Sequence, residues 1–180
     1  MLILTGPSAS GKTEVAKVLI EKHGFKKLVT YTTRTPRINE INEVDYNFVS
    51  VEEFFKLRDN NEFVETTYYN DNYYGSRLSD VAFHKVIILD PSGVNEFRRK
   101  LKDKVVIIFL NTPAKLRKER IKKRKDAKEL IEMRLKNDDL VFTPKAYDYV
   151  DYTYKNETID LDELAKEINK CYINHFKLGK

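Results

Sequence analysis

The octapeptide Gly6-Pro7-Ser8-Ala9-Ser10-Gly11-Lys12-Thr13 constrains this chain more than any other stretch. It fits G-x-x-x-x-G-K-[ST], a loop whose backbone N–H groups cradle phosphates. Leu2-Ile3-Leu4 before it reads as a short buried strand. The residues after it, from Glu14 to Ile20, put Val15, Val18 and Leu19 on one helical face. Strand, loop and helix therefore follow in order, and the helix begins where an anion would sit. The N–H groups and dipole at that end favour negative charge. Lys12 adds a point charge for β- and γ-phosphates, and the Thr13 hydroxyl is a candidate Mg²⁺ ligand. Gly6 to Thr13 is thus the candidate site for a nucleoside triphosphate.

The rest of the chain alternates in the same way. Lys27–Thr30, Val86–Leu89, Val105–Leu110 and Tyr149–Tyr154 read as further strands. Helical patterns run over Gly93–Leu101, Pro113–Arg124, Ala127–Leu140 and Leu161–Phe176. The near-continuous apolar run Val105–Leu110 suits a strand covered on both faces. This rhythm predicts an α/β fold with a parallel sheet flanked by helices, the P-loop NTPase fold. Ligands of such sheets bind beyond the carboxyl ends of the strands, so Gly6, Thr30 and Asp90 should converge. Residues 34–84 interrupt the rhythm. They are rich in Tyr, Thr and Asn, with a hairpin turn at Asn70-Asp71-Asn72, and predict a small inserted β-rich lobe. Residues 1–33 and 85–180 form the expected core, with a short helical lid at about 120–134.

Bulk properties narrow the class. A net charge of +5 suits an anionic substrate, and the basic residues are not gathered into a nucleic-acid-binding tail. One cysteine, Cys171, excludes an intrachain disulfide and suits the cytoplasm. The phosphate loop starts so early that no targeting segment is expected before it, and no apolar run approaches membrane-spanning length.

Within the lobe, Arg34-Thr35-Pro36-Arg37 sets two guanidinium groups three residues apart. Pro36 disfavours the helical conformation at Thr35, so both are held on an extended or turn segment that suits a phosphate dianion. The order Thr30-Tyr31-Thr32-Thr33-Arg34-Thr35-Pro36-Arg37, Glu40, Asp45-Tyr46-Asn47-Phe48-Val49-Ser50, Glu52-Glu53-Phe54, Asn61-Glu62-Phe63-Val64-Glu65 and Tyr73-Tyr74-Gly75-Ser76, together with the phosphate loop, resembles guanylate kinases. The resemblance spans the chain and is strongest up to Ser76.

The resemblance implies a nucleoside monophosphate kinase that moves the γ-phosphate of ATP, with Mg²⁺, to GMP and dGMP. Arg34, Arg37, Tyr46 and Tyr74 would hold the acceptor phosphate, and Thr30, Glu65, Ser76 and Asp90 would read guanine. The chemistry agrees. Guanine presents N1–H and N2–H₂ side by side to one carboxylate, and its O6 needs a hydroxyl donor. Gly6 through Thr13 would bind ATP, and Asn156 would approach its adenine. Lys12, Arg120, Arg124 and Arg134 would stabilise the transferred group, with Arg117 close to the same helix face. A monomer or homodimer is expected, with nucleotides as partners and neither nucleic acid nor membrane.

Four departures stand out. Thr30 replaces a usual Ser. Ile38-Asn39-Glu40 replaces Pro-Gly-Glu, with Asn39 able to adopt the left-handed conformation of the glycine. The turn after the third strand keeps one aspartate, Asp90. The lid segment Arg124-Lys125-Asp126-Ala127 lacks its glycine and is short. These leave room for a same-fold kinase with another acceptor. A non-catalytic binding module on the same fold is the further alternative, set against by the intact Gly6, Gly11, Lys12 and Thr13.

Overall fold

The computed structural model describes residues 1–123, 128–157 and 160–178. Five parallel strands form the main sheet: β1 (Leu2–Thr5), β2 (Lys26–Lys27), β7 (Lys85–Ile88), β8 (Val106–Asn111) and β9 (Tyr152–Lys155). Their order is β2-β7-β1-β8-β9, so β1 lies at the centre and delivers the phosphate loop to the middle of the sheet edge. Alternation along β1 splits the core. Leu2 and Leu4 face α1 (Lys12–His23) and α6 (Leu161–Leu178), where they meet Val15, Leu19, Leu164 and Ile168. Ile3 faces the other way, onto Val94 and Phe97 of α3 (Pro91–Leu101). Strands apolar on both faces are what a sheet covered by helices on both sides requires, each fully buried Leu or Ile contributing about 1.5–3 kcal/mol.

A second, four-stranded sheet is built from residues between Tyr31 and Arg77. Its order is β4-β3-β6-β5, from β3 (Tyr31–Thr32), β4 (Asn47–Phe48), β5 (Phe63–Tyr69) and β6 (Asn72–Arg77). The hairpin β5–β6 turns through Asn70 and Asp71, at φ 46° and 59°. Two central residues with positive φ make the tight turn that matches strand twist, and Asn and Asp tolerate it best. Helix α2 (Val51–Asp59) starts at Ser50, whose side chain accepts from Glu53 N–H at 3.0 Å. Its Phe54 stacks on Phe63 at 4.7 Å between centroids.

Two strand expectations change. The second strand of the main sheet is Lys26–Lys27, one residue earlier and shorter than Lys27–Thr30. Tyr31–Thr32 pairs instead with β6 and β4 in the second sheet, ahead of the boundary expected at 33/34. The fifth main strand runs Tyr152–Lys155 rather than Tyr149–Tyr154. Asp151 just before it is engaged elsewhere, accepting from Ile107 N–H at 2.7 Å and from Arg98. The remaining helices are α4 (Ala114–Lys123) and α5 (Lys128–Val141). Among the described residues no helix is long and apolar enough to cross a membrane.

Candidate active site

Gly6 has φ +138°, and a Cβ on it would stand 2.6 Å from the Leu110 carbonyl oxygen. Gly11 has φ +97°, and its Cβ would meet Asn156 Nδ2 at 2.2 Å. Both glycines are thus required by conformation and by space. Pro7 and Ser10 close the loop between them, with Ser10 N–H donating to the Pro7 carbonyl at 3.2 Å. Ala9 adds a further left-handed residue at φ 58°. Gly11 is the N-cap of α1 and no side chain caps that end. The Lys12 ammonium folds over the loop and donates to the carbonyls of Gly6 at 2.6 Å and Pro7 at 2.8 Å. Thr13 is exposed on the first turn of α1 and, with Ala9, Gly11, Lys12 and Glu14, lines a cavity of about 40 Å³.

Three elements brace the loop from outside. Asn156, just past β9, donates through Nδ2 to the Ser10 carbonyl at 2.9 Å and is 2% exposed. Its amide thus sits against Gly11. Arg120 on α4 donates to the Ala9 carbonyl at 3.3 Å and to the Asn156 carbonyl at 3.3 Å. Ser8 is bonded by Asp138 of α5 through both its N–H, at 2.9 Å, and its hydroxyl, at 3.0 Å. Arg117, read from sequence as lying near the lid face, is 5% exposed and paired with Asp138. Arg124 lies outside the described residues. Arg134 falls within α5, its side chain outside those described.

The second sheet holds the other half. Arg34, Arg37, Tyr46 and Tyr74 do converge, lining a cavity of about 390 Å³ with Glu40, Thr67 and Tyr69. Arg34 Nη2 donates to both Glu40 oxygens, at 2.8 and 2.9 Å, and Arg37 N–H donates to Glu40 Oε2 at 2.8 Å. The Arg34 fork holds the Glu40 carboxyl below its usual range, and Glu40 in turn holds the guanidinium above its own. The guanidinium also lies 5.3 Å from the Tyr46 ring centroid, and Tyr46 meets Tyr74 edge-on at 6.1 Å. Asn39 takes the left-handed conformation expected of it, at φ 80°. Glu40 belonged to the recognised pattern but not to the expected site. Its place three residues after Arg37 is the signal that could have found it.

Deeper in the same sheet, Glu65 is 8% exposed and faces Ser76 across the β5–β6 ladder. A register shift between Phe63 and Glu65 turns Val64 into the main core and leaves Glu65 and Thr67 on one face. Ser76 Oγ donates to Glu65 Oε1 at 2.7 Å, and Thr67 Oγ1 reaches Oε2 at 3.4 Å. Burial pushes the Glu65 carboxyl above its ordinary 4.5, and the Asp90 charge adds to the rise, against the Ser76 bond. Asp90 caps α3, accepting Gly93 N–H at 2.8 Å. It stands directly after Leu89, whose N–H donates to the Leu4 carbonyl at 3.1 Å. The carboxylate of the second sheet therefore approaches the strand edge that launches the phosphate loop. Thr30, half-buried, precedes β3, and its carbonyl accepts Asn47 N–H at 2.9 Å.

The site thus joins a glycine-bearing loop to two arginines and a buried carboxylate, and comparison with known proteins places the chain in a family. The family model described as guanylate kinase matches residues 1–173. A curated guanylate kinase of Anaplasma phagocytophilum is 34% identical over 180 residues, covering 94% of this chain and 83% of the relative. That of Campylobacter jejuni strain RM1221 is 33% identical over 161 residues, covering 83% and 78%. The crystal structure of guanylate kinase from A. phagocytophilum superposes with a TM-score of 0.66 at 26% identity, covering 97% of this chain and 84% of that one. Matched along nearly its whole length in both sequence and fold, the chain belongs to the guanylate kinase family.

Proposed function

We propose that this chain transfers the γ-phosphate of ATP to GMP, and also to dGMP, giving ADP and the diphosphate, as a cytoplasmic enzyme acting on two free nucleotides. The observation that carries the acceptor reading is Glu65. It is a buried carboxylate whose oxygens are already oriented by Ser76 and Thr67, in the sheet whose Thr67 and Tyr74 also line the cavity of Arg34 and Arg37. An ionised carboxylate accepts from both N1–H and N2–H₂ of guanine. Adenine would bring the N1 acceptor against it and leave both groups unpaired. Thr30 and Ser76 supply hydroxyls within the same set.

No side-chain nucleophile is required. An oxygen of the GMP phosphate attacks the γ-phosphorus in line, a new P–O bond forms, and the bond to the β-phosphate oxygen of ADP breaks. The protein contributes position and charge. Arg34 and Arg37 hold the acceptor dianion while Glu40 fixes the Arg34 guanidinium and the Arg37 backbone N–H. The loop N–H groups and Lys12 hold the donor. Swinging Lys12 from the Gly6 and Pro7 carbonyls to the phosphates needs only side-chain rotation. Arg120, already over the loop at Ala9, adds a second cation. Mg²⁺ would arrive with ATP and neutralise phosphate charge. The exposed Thr13 hydroxyl fits that ion, because Mg²⁺ commonly takes few protein ligands and several phosphate oxygens. Asn156 braces Ser10 through its side-chain amide, and in this reading it also lies beside the adenine of ATP.

The decisive experiment supplies ATP, Mg²⁺ and GMP, dGMP, AMP, UMP or CMP in turn, and follows ADP release. Turnover confined to GMP and dGMP is expected. Turnover with AMP or UMP and none with GMP would overturn the guanine reading.

A further inference from the structure

The Asp138 carboxylate is 4% exposed and lies against a loop meant for anions. A buried negative charge there opposes phosphate binding unless something neutralises it and something else is gained. Both conditions are met. Arg117 Nη1 donates to Asp138 Oδ2 at 3.0 Å, and its Nε donates to the Thr112 carbonyl at 3.2 Å. A second carboxylate, Asp139, lies 3.7 Å from Arg117 Nη2. The two Asp138 oxygens are then divided between the Ser8 N–H and the Ser8 hydroxyl.

Ser8 stands immediately before Ala9, which holds φ 58°. An alanine in that conformation costs about 1–2 kcal/mol and persists only where its surroundings enforce it. On the far side, Asn156 holds the Ser10 carbonyl. On the near side, Asp138 holds Ser8. The pair that does so comes from α4 and α5, the helices on either side of residues 124–127.

We propose that Asp138 is a positioning residue of the donor site: paired with Arg117, it clamps Ser8 so that the loop keeps the curvature that presents its N–H groups to the donor phosphates. The placement of α5 is thereby transmitted to the loop. This rests on the reading of Gly6–Thr13 as the donor site.

The test measures ADP and GMP binding by calorimetry, and thermal unfolding, for wild type, Asp138→Ala and Asp138→Asn. Asparagine keeps one oxygen for the Ser8 N–H and offers an amide to the Ser8 hydroxyl, but loses the charge facing Arg117. Both variants should unfold at lower temperature. Only Asp138→Ala should lose ADP affinity, by about tenfold, equivalent to about one charge-assisted hydrogen bond. GMP affinity should stay within about twofold in both, because its site lies on other elements. An Asp138→Ala protein with unchanged ADP affinity would overturn the proposal. So would a folded Asp138→Asn protein with a tenfold loss, which would assign the effect to the ion pair alone. If Asp138→Ala does not fold, Ser8→Ala, which removes the hydroxyl bond to Asp138 and leaves the Arg117 pair, replaces it: ADP affinity should fall severalfold, and unchanged affinity would overturn the proposal. Wild type that does not bind ADP would instead overturn the donor-site reading on which the proposal stands.

Discussion

Ser76 donates a 2.7 Å hydrogen bond to Glu65 from directly across the β5–β6 ladder, so the carboxylate proposed to read the base is oriented by the strand that also carries Tyr74. On that proposal acceptor recognition is built into sheet register. A slip of one residue would turn Glu65, Thr67, Tyr74 and Ser76 away together.

Glu65→Gln should lower kcat/KM for GMP on the order of 10²–10³-fold while ADP affinity stays within about twofold. The amide would set a donor against guanine's donors and leave a buried group unpaired. Steady-state kinetics with each substrate varied in turn checks this, and equal damage to both substrates would remove the base-reading role.

The same residue predicts a pH signature. The folded carboxyl titrates above its ordinary 4.5, chiefly because it is buried, so its ionisation costs stability. That cost is absent below the unfolded value, where both states are protonated, and grows as pH rises from 4.5 through the folded value. Glu65→Gln should therefore unfold no earlier than wild type at pH 7, with its relative advantage shrinking toward pH 4. GMP binding should run the other way, weakening as pH falls through the folded value. Thermal unfolding and GMP titration over pH 4–8 test both slopes.

Arg34→Lys should raise KM for GMP by about tenfold or more and leave ADP binding unaffected. Arg34 spans both Glu40 oxygens with one nitrogen and the Thr35 carbonyl with another, at 2.9 Å. A single ammonium cannot reproduce that planar fork. Glu40→Gln should weaken GMP binding in the same direction, since it loosens Arg34 and the Arg37 backbone together. Retained GMP affinity in both variants would exclude this clamp as the acceptor-phosphate site.

The parts of this molecule that sequence makes legible are those written in local pattern. Leu2-Ile3-Leu4, the two glycines of the loop and the Asn70-Asp71 turn each carry their own conformational reason, and the structure has them as read. Tyr31–Thr32 shows where this fails: a two-residue strand has no periodicity, and only its partners in β4 and β6 decide which sheet receives it. Arg117 shows a second failure. It sits in a basic run that reads as a solvated helix face, yet it is buried because Asp138, 21 positions later, comes to meet it. The fate of Asn156 is likewise fixed by a loop 146 positions away. Long-range polar pairs leave no mark in spacing, and here they brace the loop that local pattern identified.

Two glycines with positive φ separate conformational strain from steric exclusion. Gly24 caps α1 at φ +72° with nothing within 4 Å of an added Cβ, so Gly24→Ala meets only the backbone penalty. It should cost about 1–2 kcal/mol of stability and leave turnover unchanged. Gly6→Ala meets a backbone penalty at φ +138° and also drives its methyl to 2.6 Å from the Leu110 carbonyl oxygen on β8, the buried strand beside β1. β8 cannot shift without breaking the β1–β8 ladder, in which Leu2 through Thr5 pair with Val106 through Phe109. The loop, which begins just past that ladder, must therefore open. Gly6→Ala should lose more than about 3 kcal/mol, combining the strain of a positive φ that L residues rarely adopt with overpacking, and should lose ADP binding as well. Denaturant unfolding gives the first quantity and ADP calorimetry the second. Equal stability losses for the two variants would mean that φ alone, and not the approach of Leu110, demands glycine at position 6.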